Sequence, residues 1–177
     1  VKHNTPYDTP DPEDFEPGKR SSVEAQIANL ADEIAYNTHD LDDGLTAGFI
    51  ELDQLSDLEI WDDTLQEAAR TADDVDDTRK KYQIVRALIN QQITDVIHTT
   101  ENNLLGQEAR AVDDIRNIDF DVVDYSEEMR RKNRELRHFL RDNFYQHFRV
   151  ARMSRKATRF LEDLFQEYME DIRQLPP

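Results

Sequence analysis

The chain has 177 residues, 39 acidic against 22 basic for a formal charge of −17, four glycines, no cysteine and a mean hydropathy of −0.85. These figures exclude a disulfide scaffold and a surface that wraps nucleic acid with uniform positive charge. No apolar run approaches the roughly 20 residues of a membrane helix.

The length suits one domain, and abundant Ala, Leu, Glu, Gln and Arg with few glycines predict an all-α chain. The absence of cysteine and of a basic start followed by an apolar stretch fits a cytoplasmic protein. Charge is unevenly spread: residues 32–77 hold sixteen acidic side chains and one basic, Arg70, whereas residues 130–159 hold eleven of the basic ones.

In chain order, residues 1–20 carry Pro6, Pro10, Pro12, Pro17 and Gly18, which predicts a proline-rich loop. The start at Val1, with Lys2-His3-Asn4-Thr5 leading straight into that loop, suggests a piece of a larger protein. A first helix is expected over residues 21–44, framed by a Ser21/Glu24 capping box and stopped by Gly44. Residues 45–125 read as connector and core helices, with a turn or two around Gly48 and with Asp53 or Ser56 capping a helix through Trp61. A longer helix over residues 78–103 has Tyr82, Val85, Leu88, Ile89, Ile93, Val96 and Ile97 as its apolar face, and a short helix falls within residues 108–115. Residues 126–177 form a basic pair of helices: one from Ser126 bearing Leu136, Phe139 and Phe144, the other over residues 151–172 bearing Met153, Phe160, Leu164 and Phe165. Each is expected to bury one face. Period-2 alternation is missing throughout, so the predicted architecture is a multi-helix bundle.

Along the first helix Val23, Ile27, Leu30, Ala31, Ile34 and Leu41 form one stripe. Asn29, Asp32, Tyr36 and Asp40 share the opposite side, the last three at i, i+4 and i+8. Such a line either faces water, as charged residues usually do, or lines a cleft.

The wording of the segment bears on that choice. Glu24-Ala25-Gln26, then Ala31-Asp32-Glu33-Ile34-Ala35-Tyr36-Asn37-Thr38-His39-Asp40-Leu41-Asp42-Asp43-Gly44, resembles the HD-type deoxynucleoside triphosphate triphosphohydrolases, specifically the bacterial deoxyguanosinetriphosphate triphosphohydrolase-like group. Lys2-His3 with Tyr7-Asp8, residues 16–20, and Arg149-Val150-Ala151-Arg152-Met153-Ser154 running into Asp163-Leu164-Phe165 are similar too. The resemblance implies the C-terminal part of an HD-domain fold in an oligomeric hydrolase of nucleotide metabolism. It implies hydrolysis of a dNTP, dGTP foremost, to the deoxynucleoside and triphosphate by attack of water at the α-phosphorus.

It further implies that Asp32 is a ligand of a divalent metal, Mn, Mg, Fe or Zn. Tyr36 would pack against the deoxyribose and Asp40 would accept from its 3′-hydroxyl. Lys2 and Lys19, in matched loops, would meet the phosphates. The upstream metal-binding His, the His-Asp pair and the catalytic acid/base residues have no counterpart in the sequence, so no catalytic residue is assigned and the chain alone is expected to be inactive. His39-Asp40 falls inside the helix and is not read as the metal pair. His3, His98, His138 and His147 lack ligand spacing.

Two other readings remain open. One is a non-catalytic interaction module whose basic helices dock an acidic surface such as residues 57–77, in the same or a neighbouring subunit. The other is single-stranded nucleic-acid binding through the arginines of residues 130–159, interleaved with Phe144, Tyr145 and Phe148.

Overall fold

The computed structural model describes residues 19–71, 77–107 and 109–175, and among them all regular structure is helical. Six α-helices follow in order: α1 (Val23–Thr46), α2 (Glu59–Thr71), α3 (Asp77–Leu105), α4 (Val112–Arg116), α5 (Glu127–Leu140) and α6 (Phe148–Glu170). Short tight helical turns at Leu52–Asp57 and Ile172–Gln174 supplement them, and a wide turn of π type, Arg141–Tyr145, continues α5.

The start of α1 lies one residue later than the sequence pattern suggests. Ser22, not Ser21, is the N-cap, its Oγ accepting from the amide of Ala25 at 3.4 Å. The end of α1 also differs. Gly44 lies inside the helix, and the residue that reverses the chain is Gly48, with φ +65°. The amide of Phe49 reaches back to the carbonyl of Gly44 at 2.9 Å, and that of Gly48 to Leu45 at 3.3 Å. This Schellman arrangement needs a left-handed residue, which glycine adopts without steric cost. Gly44 is instead required by packing: a Cβ there would lie 2.5 Å from Ile50 Cδ1. Neither Asp53 nor Ser56 caps the next α-helix; both belong to the Leu52–Asp57 turn, and α2 starts at Glu59.

The main core gathers Ile34 and Leu41 of α1, Leu55, Ile60 and Trp61 around α2, Leu88 of α3, and Met129, Leu136 and Leu140 of α5. A smaller cluster of Ile115, Val122 and Val123 seats the loop before α5 against Val23 and Leu30. Polar side chains fix that loop. Gln26 Oε1 accepts from the amide of Val123 at 3.1 Å, and Asp95 accepts from the amide and hydroxyl of Ser126 at 2.8 and 2.6 Å. Ser126 in turn caps α5 through the amide of Met129. These buried and half-buried donors and acceptors thus locate the starts of α1 and α5 relative to the body of α3.

The basic surface of α5 meets acid within the chain. Arg131 pairs with Glu59 at 2.6 Å, Lys132 with Asp63 at 2.6 Å, and Arg137 with Glu33 at 3.4 Å. Burial works to lower the Lys132 pKa, but hydrogen bonds to Asp63 and Glu128 outweigh it and raise the value above that of an ordinary lysine.

Two expected apolar faces are not covered. Ile27 of α1 and Ile93 and Ile97 of α3 are 44–51% exposed and line an open cleft of about 570 Å³ between the two helices. No residue of α6 is buried, so its apolar side faces outward. In both places the spacing is that of a packed helix, but the described residues supply nothing to pack against it.

Candidate functional site

The outward side of α1 carries the site. Asp32 and Tyr36 are exposed and Asp40 is half-buried, one above another on consecutive turns. Asp32 makes no hydrogen bond or ion pair with the described residues, so its carboxylate is open to a ligand. It stands alone: no group of three or more His, Cys, Asp or Glu is placed to hold a metal ion among the described residues. A single carboxylate does not by itself make a metal site.

Tyr36 and Asp40 are joined by a third residue that the sequence reading did not single out. Tyr145, in the turn after α5, lays its ring 6.2 Å from that of Tyr36, at 17° to parallel, and its hydroxyl donates to the carboxylate of Asp40. Burial, the hydrogen bond to Asp40 and the neighbouring Tyr36 hydroxyl all push the Tyr145 pKa upward, so the phenol stays protonated and remains a donor. Two aromatic rings and one carboxylate thus form a small amphipathic wall. Its carboxylate still has lone pairs for a further hydrogen-bond donor. The available clue was the position of Tyr145 among the arginines, but no spacing rule links it to a helix 105 residues earlier.

The π-type turn brings Tyr145 into place. Phe144 stacks obliquely on Phe49, 6.2 Å between centroids, and sits beside Gly44, while His147 stacks on Phe49 at 4.2 Å. The end of α1, the Gly48 reversal and the turn after α5 thus hold one another.

The remaining candidates are dispersed. Lys2 and His3 lie outside the described residues. Lys19 is half-buried beyond the N-terminus of α1, next to Arg20, which is tied to the carbonyls and carboxylates of the loop after α4. About 27 Å of helix, at 1.5 Å per residue, separates that end from Asp40, so Lys19 and Asp40 are not brought together. His39 and Asp40 diverge: His39 lines the apolar cleft while Asp40 turns to Tyr145. His98 and His138 are exposed, and His147 serves packing through its stack on Phe49.

The open carboxylate of Asp32 and the Tyr145–Asp40 pair thus share one helix face of an all-helical chain. Residues 123–177 match the model of the phosphohydrolase-associated domain. Over 99% of its length the chain is 45% identical to a deoxyguanosinetriphosphate triphosphohydrolase-like protein of Geobacter metallireducens and 42% identical to one of Geobacter sulfurreducens, in each case covering 46% of the relative. A protein of the same description from Ralstonia nicotianae is 44% identical over 92% of the chain and 42% of its own length. Over the segment it shares with them, the chain is similar to these deoxyguanosinetriphosphate triphosphohydrolase-like proteins. It spans about half the length of these curated relatives. No helix among the described residues is long and apolar enough to cross a membrane.

Proposed function

We propose that this chain is the sugar-recognising part of a metal-dependent dNTP triphosphohydrolase, with dGTP as the first substrate to test. The observation that carries the reading is the hydrogen bond from Tyr145 to Asp40 beside the stacked Tyr36, on the same helix line as the open carboxylate of Asp32. The names of the relatives support the reaction class.

Tyr36 and Tyr145 offer two ring faces to a deoxyribose, and their bulk leaves no room for a 2′-hydroxyl. Asp40, oriented by the phenol of Tyr145, accepts from the 3′-hydroxyl. A ribonucleotide would leave either its own hydroxyl or the carboxylate poorly satisfied. Asp32 lies two turns back along α1 from Asp40 and donates one ligand to a divalent metal. A bound metal of this kind polarises phosphoryl oxygen and lowers the pKa of water. The residues of this chain bind and orient the sugar, while the acid/base groups and the remaining ligands come from beyond its described residues. The segment by itself is accordingly a binding element and not a complete catalyst.

The test is triphosphate release from dGTP, with the other dNTPs and GTP in parallel and Mn or Mg present, by the intact protein. Activity that Asp32→Ala abolishes, and that Tyr36→Ala and Asp40→Ala weaken chiefly for deoxynucleotides, supports the reading. An intact, folded protein that neither hydrolyses any dNTP nor binds metal would make the interaction module the better description.

A further inference from the structure

Tyr145 sits in a segment with little of its own to hold it. The wide turn Arg141–Tyr145 contains no buried residue, and turns of π type are rare against a continued α-helix. Its polar bonds run from the Gln146 amide to the Arg141 carbonyl at 3.1 Å and from Asn143 Nδ2 to the Phe139 carbonyl at 2.9 Å. Both are local to the turn and the end of α5. They shape the turn but do not set where Tyr145 stands relative to α1.

Phe49 supplies that second reference. Its amide donates to the Gly44 carbonyl at 2.9 Å, which fixes it to the end of α1, one turn beyond Asp40. Its ring lies 6.2 Å from that of Phe144 and 4.2 Å from that of His147, the latter nearly parallel at 18°. Those two residues stand on either side of Tyr145 in the chain, and Phe144 also meets the Tyr145 ring edge-on at 5.5 Å. One ring on the α1 side thus grips the turn before and after the tyrosine. The Arg149 guanidinium, 6.0 Å from the Phe49 centroid, adds a cation to the same ring. Aromatic pairs have preferred separations and tilts, so they locate a neighbour more narrowly than an aliphatic contact does. No ring contact among the described residues joins Phe49 to Tyr36, so its influence on the site runs through Tyr145.

We propose that Phe49 is a positioning residue for sugar recognition: held by the end of α1, it seats Phe144 and His147 and so sets the Tyr145 phenol where it donates to Asp40. The carboxylate is then aimed before a ligand arrives. With an aliphatic side chain at this position the turn has more than one resting place and the Tyr145–Asp40 bond is made only part of the time. Binding weakens by that fraction, while the chemical step, which these residues do not touch, is unaffected. The inference deepens the proposed function of the Tyr36, Asp40 and Tyr145 wall and rests on it.

The test compares Phe49→Leu with Phe49→Tyr in the intact protein, with dGTP as substrate and Mn or Mg present. Phe49→Leu should raise KM about fivefold with kcat within about twofold, the competent fraction falling to about one fifth. Phe49→Tyr, which keeps the ring, should stay within about twofold of the parent. In a Tyr145→Phe background the hydroxyl is already gone, so Phe49→Leu should add less than about twofold to KM. Ile115→Ala, in the smaller apolar cluster, should lower the unfolding midpoint and leave KM unchanged, which separates position from stability alone. If Phe49→Leu does not fold, Phe144→Leu breaks the same stack from the other side and should give the same split between KM and kcat. An unchanged KM in Phe49→Leu beside a raised KM in Tyr145→Phe would overturn the proposal. So would full additivity of the two changes, or a loss in Phe49→Tyr equal to that in Phe49→Leu. A parent that hydrolyses no dNTP would instead overturn the hydrolase reading, and the sugar role with it. The hold of Phe49 on Tyr145 would still be decided by unfolding midpoints, where the double variant should lose less than the two single variants added together.

Discussion

The Tyr145 hydroxyl donates a hydrogen bond to the carboxylate of Asp40, tying the turn after α5 to the second turn from the end of α1. Tyr145→Phe keeps the ring stacked on Tyr36 and removes only the donor. It should cost about 1 kcal/mol of stability, the usual net worth of such a bond, read by chemical denaturation. If Asp40 recognises the sugar, the same variant of the intact protein should lose about tenfold in kcat/KM for dGTP, mostly through KM, since the oriented carboxylate serves binding and not the chemical step. An unchanged KM would separate the structural role of the pair from the proposed recognition.

Gly44 is packed against Ile50 and Phe144, which lie 2.5 and 3.2 Å from where a Cβ would be. Gly44→Ala gains about 1 kcal/mol of helix propensity, but overpacking at a buried site costs about 1–3 kcal/mol. The expected outcome is a net loss of about 1–2 kcal/mol. Ile50 is only 1% exposed and has nowhere to move. Ile50→Val removes the nearest carbon, so the double variant should be less destabilised than the two single changes added together. That coupling is measurable by a double-mutant cycle.

The all-helical class and the span of the long helices were legible because apolar residues recur at helical spacing, and Ser126 was readable as a helix start. The line of Asp32, Tyr36 and Asp40 could be read for the same reason, since i, i+4 and i+8 share a face whatever surrounds them. Periodicity marks a face as apolar but does not show what covers it, so Ile27, Ile93 and Ile97 looked like core yet border an open cleft. α6 differs from expectation on the same grounds. Gly44 was misread as a stop because glycine after two aspartates resembles a helix end. The two glycines exchange roles in three dimensions: Gly48 supplies the positive φ, and Gly44 supplies room. Tyr145 lay beyond reach because the contact depends on the Phe49–Phe144 stack and on the wide turn, both of which are tertiary.

Lys132 is nearly buried among Glu59, Asp63 and Glu128. Lys132→Met keeps much of the aliphatic stem and leaves three carboxylates without their shared cation. Because those carboxylates are partly solvated, the expected loss is about 1–3 kcal/mol, less than for a fully buried pair. Adding Asp63→Asn should recover part of it by removing one of the repelling charges, as thermal unfolding would register.

Glu59 bridges α2 to α5 through Arg131, whose hydrogen bond holds its carboxyl below the ordinary value of 4.5. The folded chain therefore takes up this proton less readily than the unfolded chain, and the ionised form favours folding. That contribution is complete above about pH 4.5 and disappears as the pH falls through the lowered folded-state value. Glu59→Gln should lower Tm at pH 6–7, and the variant and the parent should converge as the pH is brought below the lowered folded-state value, where the parent's own Glu59 is neutral. Raising the salt concentration should shrink the gap at neutral pH, because the pair is exposed and its charges are screened. A gap that stays constant from pH 7 to pH 3 would mean that Glu59 acts through packing of its side chain and not through its charge.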